Sequence, residues 1–134
     1  MKYSKLAVLS SVLVFLAIIS CDRKKNDVIL TDITGVYTCQ ESSPYSGIRN
    51  YFIEIDKIED EEGRYIISNF HSLGDNEFIF ADFRHDTLRI SGQVVAGFRV
   101  NGSGPVANDF RLISLYYEMD DGLSILDYYV TYRR

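Results

Sequence analysis

Basic residues, cysteine, histidine and proline are all scarce in this 134-residue chain. Lys and Arg number 14 against 19 Asp and Glu, Cys, His and Pro occur twice each, and Trp is absent. The acidic balance excludes a nucleic-acid partner, which needs a basic face. Two cysteines cannot make a disulfide framework, and the 46% apolar content supplies a core without disulfides or metal. His71 and His85 lack the close spacing of zinc-ligand pairs, so no metal or other cofactor is expected. Only one long apolar run occurs, which excludes a polytopic membrane protein. No stretch after residue 27 carries the period of a long amphipathic helix, which excludes parallel βαβ folds. Nucleophile elbows of the Gly-x-Ser-x-Gly type are missing. Gly102-Ser103-Gly104-Pro105 places Pro where a phosphate loop would offer a backbone donor.

What is present begins with Lys2 and Lys5, followed by fourteen mostly apolar residues from Leu6 to Ile19. This is the pattern of a secretory signal peptide. As a helix the run would rise about 21 Å, short of a hydrocarbon core of about 30 Å. It ends in Ile18-Ile19-Ser20-Cys21, which resembles the bacterial lipoprotein lipobox. The resemblance implies cleavage between Ser20 and Cys21, with acyl chains on the Cys21 thiol and on the new amino terminus. Such a lipid would hold the protein to a membrane. The mature part would then carry 12 basic and 19 acidic residues, a net charge of −7. Asp22 to Asp27 is wholly polar and reads as a flexible tether. The expected organisation is a signal peptide at 1–20, the lipidated Cys and tether at 21–30, and one β-domain at 31–134. In enteric lipoproteins an Asp after the Cys favours the inner membrane, a rule that does not carry to other groups. Surface-exposed lipoproteins of the Bacteroidetes often have acid-rich tethers, whereas Arg23, Lys24 and Lys25 are basic. The expected location is therefore the outer membrane, on its periplasmic side.

Beyond the tether the apolar period is two, with turn signals about every ten residues. Strands are predicted at 35–40, 48–58, 64–70, 77–84, 88–94, 97–101, 109–119 and 125–133. A bulge is expected at Ala96-Gly97 and a loop at Gly102–Pro105. The fold class is all-β, about eight antiparallel strands in an up-and-down barrel, with a two-sheet β-sandwich as the alternative. Phe78 to Phe83 and Phe110 to Tyr117 are apolar on both faces. A loop, the start of the mature chain, another subunit or a partner must cover the second face.

The order of motifs from Gly35 onwards resembles small Bacteroidetes lipoproteins with a lipocalin-like, or calycin-like, β-domain. Gly35-Val36-Tyr37-Thr38-Cys39, Ile67-Ser68-Asn69-Phe70, Leu88-Arg89-Ile90-Ser91-Gly92-Gln93, Leu112 to Tyr117 and Tyr128 to Arg133 carry it. Some members pair a Cys of the first strand with one in the last. Tyr128 and Tyr129 stand there in this chain, so that staple is missing. The resemblance brings no catalytic residues.

Each reactive residue type has a structural reading beside its chemical one. Cys39 as a nucleophile would need His71 or His85 beside it, and as a strand residue it is a buried thiol. The acidic turns Glu59–Glu62 and Asp120-Asp121 lack the alternating ligands of a calcium loop. Arg49, Arg84, Arg89, Arg99 and Arg111 would form an anion-gripping row, or pair across strands with Glu54, Asp56 and Asp82. Tyr116, Tyr117, Tyr128, Tyr129 and Tyr132 suit a carbohydrate or protein contact, or a half-buried sheet. The primary expectation is a lipid-anchored module holding a small apolar ligand or lipid, not an enzyme. The alternative is a protein-interaction or envelope-assembly component without a cavity. Tyr51, Phe80, Phe98 and Phe110 are expected to point inwards and decide between them by filling the barrel or leaving it open.

Overall fold

Side-chain alternation sets the first strand. In β1 (Gly35–Ser43), Tyr37, Cys39, Glu41 and Ser43 are buried, and the residues between them face outwards. The same period runs through β2 (Gly47–Lys57), β3 (Arg64–Ser68), β4 (Phe78–Arg84), β5 (Thr87–Val95), β6 (Phe98–Pro105), β7 (Leu112–Asp120) and β8 (Ile125–Arg133). This computed structural model describes residues 28–134. Ser20, Cys21 and the tether through Asp27, where the cleavage and lipidation expectations fall, lie outside the described residues.

Every strand pairs antiparallel with the next, and β8 returns to β1 through registers running from Thr38↔Arg133 to Ser42↔Tyr129. The result is a closed eight-stranded up-and-down barrel, not a two-sheet sandwich. Closure removes the two terminal edges of the sheet, while β2 before Glu54 and β4 before Asp82 have no ladder partner on their β3 and β5 sides respectively. Tyr37, Ile53, Ile55, Ile67, Ile79, Leu88, Ile90, Ile113, Tyr117 and Tyr132 fill its interior. Each such side chain contributes about 1.5–3 kcal/mol by leaving water.

Four local expectations are corrected. Ala96-Gly97 is a two-residue hairpin turn, not a bulge, because Val95 pairs with Phe98 and φ is positive at both turn residues, 46° and 85°. The irregularity lies instead between Ile90 and Gln93. Gly102–Pro105 continues β6. A Cβ on Gly104 would lie 1.8 Å from the Ser114 carbonyl oxygen, so glycine serves close strand approach there and not a loop. The third strand stops at Ser68, because Asn69 turns left-handed at φ 54° and a short 3₁₀ turn, Phe70–Ser72, follows. The Asn69 side chain fixes that departure by donating to the Phe52 carbonyl at 2.6 Å and accepting from the Gly74 N–H at 2.9 Å. Finally, Phe80 points outwards with Phe78, while Ile79 and Ala81 take the core side. Tyr51, Phe98 and Phe110 do pack against the core.

One end of the barrel is closed by the segment Asp32, Ile33 and Thr34 that leads into β1 and by Arg134 after β8. The Tyr37 hydroxyl reaches the carbonyls of Ile33 and Phe110 at 2.9 and 3.2 Å. Arg134 lies 4.8 Å above the Tyr37 ring and donates to the carbonyls of Asp32, Thr34 and Phe110.

Candidate functional site: a buried carboxylate and an outer groove

The opposite end of the barrel is polar inside. Glu41 sits on the core side of β1 at 1% exposure. Its Oε1 accepts from Arg49 of β2. Its Oε2 accepts from the hydroxyls of Tyr51, at 2.6 Å, and Tyr117, with His71 Nδ1 3.0 Å away. The 3₁₀ turn delivers His71 and Phe70 into the opening. Phe70 packs 4.7 Å from the Tyr117 ring, and the His71 ring stands edge-on to Tyr128 at 4.6 Å. His71 and Ser72 are both left-handed, at φ 55° and 58°, a backbone cost that these interior contacts hold in place.

The electrostatics follow from this packing. Burial alone would raise the Glu41 carboxyl, but hydrogen bonds from His71, Tyr117, Tyr51 and Arg49 outweigh it and hold it at about 2. Burial pushes the Tyr51 and Tyr117 hydroxyls far above their ordinary value, so they remain donors. The carboxylate therefore ties β1, β2, β7 and the 3₁₀ turn together through internal donors. The Tyr132 hydroxyl, also fully buried, has no hydrogen-bond partner among the described residues. Arg49, 39% exposed, is the cluster's contact with solvent.

The sequence candidates distribute as follows. Cys39 is a buried free thiol that burial pushes up to about 12, which suppresses thiolate chemistry. His71 meets Glu41, Tyr117 and Arg49, while His85 sits in the exposed β4–β5 turn. Arg49 points into the barrel, so the five arginines make no row. Among the described residues the ion pairs join Arg49 to Glu41 and Arg64 to Glu61, not arginines to Glu54, Asp56 or Asp82. Asp120 and Asp121 accept backbone N–H groups of Gly122, Leu123 and Ser124 at 2.8 Å, as solvated turn residues do. The late tyrosines divide: Tyr117, Tyr128 and Tyr132 are inside, Tyr116 and Tyr129 outside.

The outside pair borders a shallow groove of about 360 Å³ that crosses β1, β8, β7 and β6. Registers Ile48↔Ser42, Ser42↔Tyr129, Tyr129↔Tyr116 and Tyr116↔Ser103 set one row of the outer wall. Gln40↔Thr131 and Thr131↔Ser114 set the next. The Tyr116 and Tyr129 rings lie 5.3 Å apart, inclined at 49°. The Tyr116 hydroxyl is held at 2.8 Å by Asp127 and 3.0 Å by Glu118, an attachment that raises its ionisation above the ordinary value.

No family model matches the chain, and no curated protein or solved structure matches it.

Proposed function

We propose that this protein is a lipoprotein, anchored by an acylated Cys21 to the periplasmic side of the outer membrane, that binds its partner on the outer wall of the barrel. Its relatedness to small lipocalin-like lipoproteins of the Bacteroidetes belongs to the same proposal and rests on the motif order. The observation that carries the outer-wall reading is the contrast between the two sides of β7 and β8. Tyr117, Tyr128 and Tyr132 are locked in a filled interior, while Tyr116 and Tyr129 stand 37% and 57% exposed beside a groove. A ligand held inside would have to displace packed side chains at a cost of several kcal/mol. The outer groove demands no such rearrangement. A photoreactive diazirine residue in place of Tyr129, in intact cells, is expected to yield a discrete adduct. The same residue in place of the exposed Thr87 is expected to yield none. An apolar small molecule that co-purifies inside the barrel, with no adduct at position 129, would restore the internal-ligand reading and overturn this one.

A further inference from the structure

The groove's lining narrows what it can hold, an inference that rests on the outer-wall reading above. A quarter of the chain is charged, yet none of the twelve lining residues is. With no Lys or Arg, the groove offers nothing to a phosphate or carboxylate. Its hydrogen-bonding side chains are neutral: Gln40, Ser103, Ser114 and Thr131 lie on neighbouring strands. Among the described residues these four make no side-chain hydrogen bond to the protein, so they are open to a ligand's hydroxyls. Above them the Tyr116 and Tyr129 rings present apolar faces, and the carboxylates of Asp127 and Glu118 fix the Tyr116 ring through its hydroxyl. An extended peptide that recognises a sheet does so by adding a strand at a free edge. The groove lies across β1, β8, β7 and β6, which pair with one another beneath it, so it offers no such edge.

We infer that the groove formed by Tyr116, Tyr129 and the neutral side chains Gln40, Ser103, Ser114 and Thr131 is a binding site for a neutral saccharide. A sugar ring carries an apolar C–H face for the tyrosines and hydroxyls for the neutral floor, with no charge to neutralise. At about 360 Å³ the groove is at the small end of ligand sites, roughly 300–1,000 Å³, so it holds a short segment of a glycan.

The test is calorimetric titration of the full-length protein, in a detergent without sugar headgroups, with maltohexaose, cellohexaose and chitohexaose. At least one is expected to bind. Tyr129→Ala should weaken it about tenfold, as loss of an aromatic anchor does, while Tyr129→Phe should retain it. Ser114→Ala combined with Thr131→Val should weaken it, and Phe80→Ala on a distant strand should not. Circular dichroism of each variant separates lost binding from lost folding. Absence of binding to all three at millimolar concentration, or binding indifferent to Tyr129→Ala, overturns the saccharide inference. So does capture of a quaternary ammonium probe in place of the sugars. A protein adduct at position 129 without saccharide binding would overturn it too, yet leave the outer-wall reading standing.

Discussion

Burying a carboxyl as deeply as Glu41 ordinarily favours the neutral acid, and here four donors reverse the sign. Because the folded-state value, about 2, lies below the ordinary 4.5, the unfolded chain takes up the proton first as pH falls. The stabilisation is fully present above about pH 4.5 and fades as pH drops towards 2, with a size of order 3 kcal/mol. Glu41→Gln should cost about 3 kcal/mol at neutral pH and flatten that acid-side slope, as read from urea unfolding at pH 7 and pH 3. A slope unchanged in the variant would assign the acid sensitivity to other carboxylates. Part of this cluster was legible beforehand: Tyr37, Cys39 and Glu41 share one parity, so an acid on the core face appears as soon as the strand is carried past Gln40. Its partners were not, since His71 and Tyr117 lie 30 and 76 residues further along. Such distances are crossed by topology, and no local spacing records them.

Among the elements, β6 shows how composition misleads. Gly-Ser-Gly-Pro reads as a loop because glycine and proline punctuate chains. Here the glycines serve contact: Cβ atoms at Gly102 and Gly104 would collide with the backbone of β7. Gly104→Ala should therefore destabilise by about 3 kcal/mol through overpacking. Gly92→Ala, with open space around the new methyl, should stay within about 0.5 kcal/mol. Thermal unfolding of the pair decides the matter, and equal losses would remove the close-approach account. Asn69 misled in the other direction. The apolar pattern runs on through Phe70, but the side-chain hydrogen bonds of Asn69 hold a left-handed turn that ends the strand at Ser68, two residues earlier. Pattern alone does not register a single φ of opposite sign.

For the molecule as a whole, the number of strands and their antiparallel order follow from the period of two and the regular turns. Closure follows because an up-and-down sheet of eight strands can remove both of its edges only by joining the first strand to the last. Which residues point outwards was less legible, because Phe78 to Phe83 is apolar on both faces and parity then says nothing about which side is wet. The attachment proposed for Cys21 is tested by Cys21→Ser, which should move the protein almost entirely from the membrane to the soluble fraction, since two or three acyl chains account for stable anchoring. Wild-type protein found soluble and without acyl mass would defeat the proposal.

Attachment through the amino-terminal side would also make the arginine at the other end of the chain a mechanical part. Any drag on the domain from its surroundings would be transmitted along the segment that leads into Gly35. Among the described residues the first bond it meets runs from Arg111 to the Val28 carbonyl, and the next group holds those from Arg134 to the carbonyls of Asp32 and Thr34. Beyond them β1 is registered through nine pairs to β2 and five to β8. A load entering there is passed at once to the carboxyl-terminal strand, and the clasp acts as a strain relief that keeps the first strand from peeling.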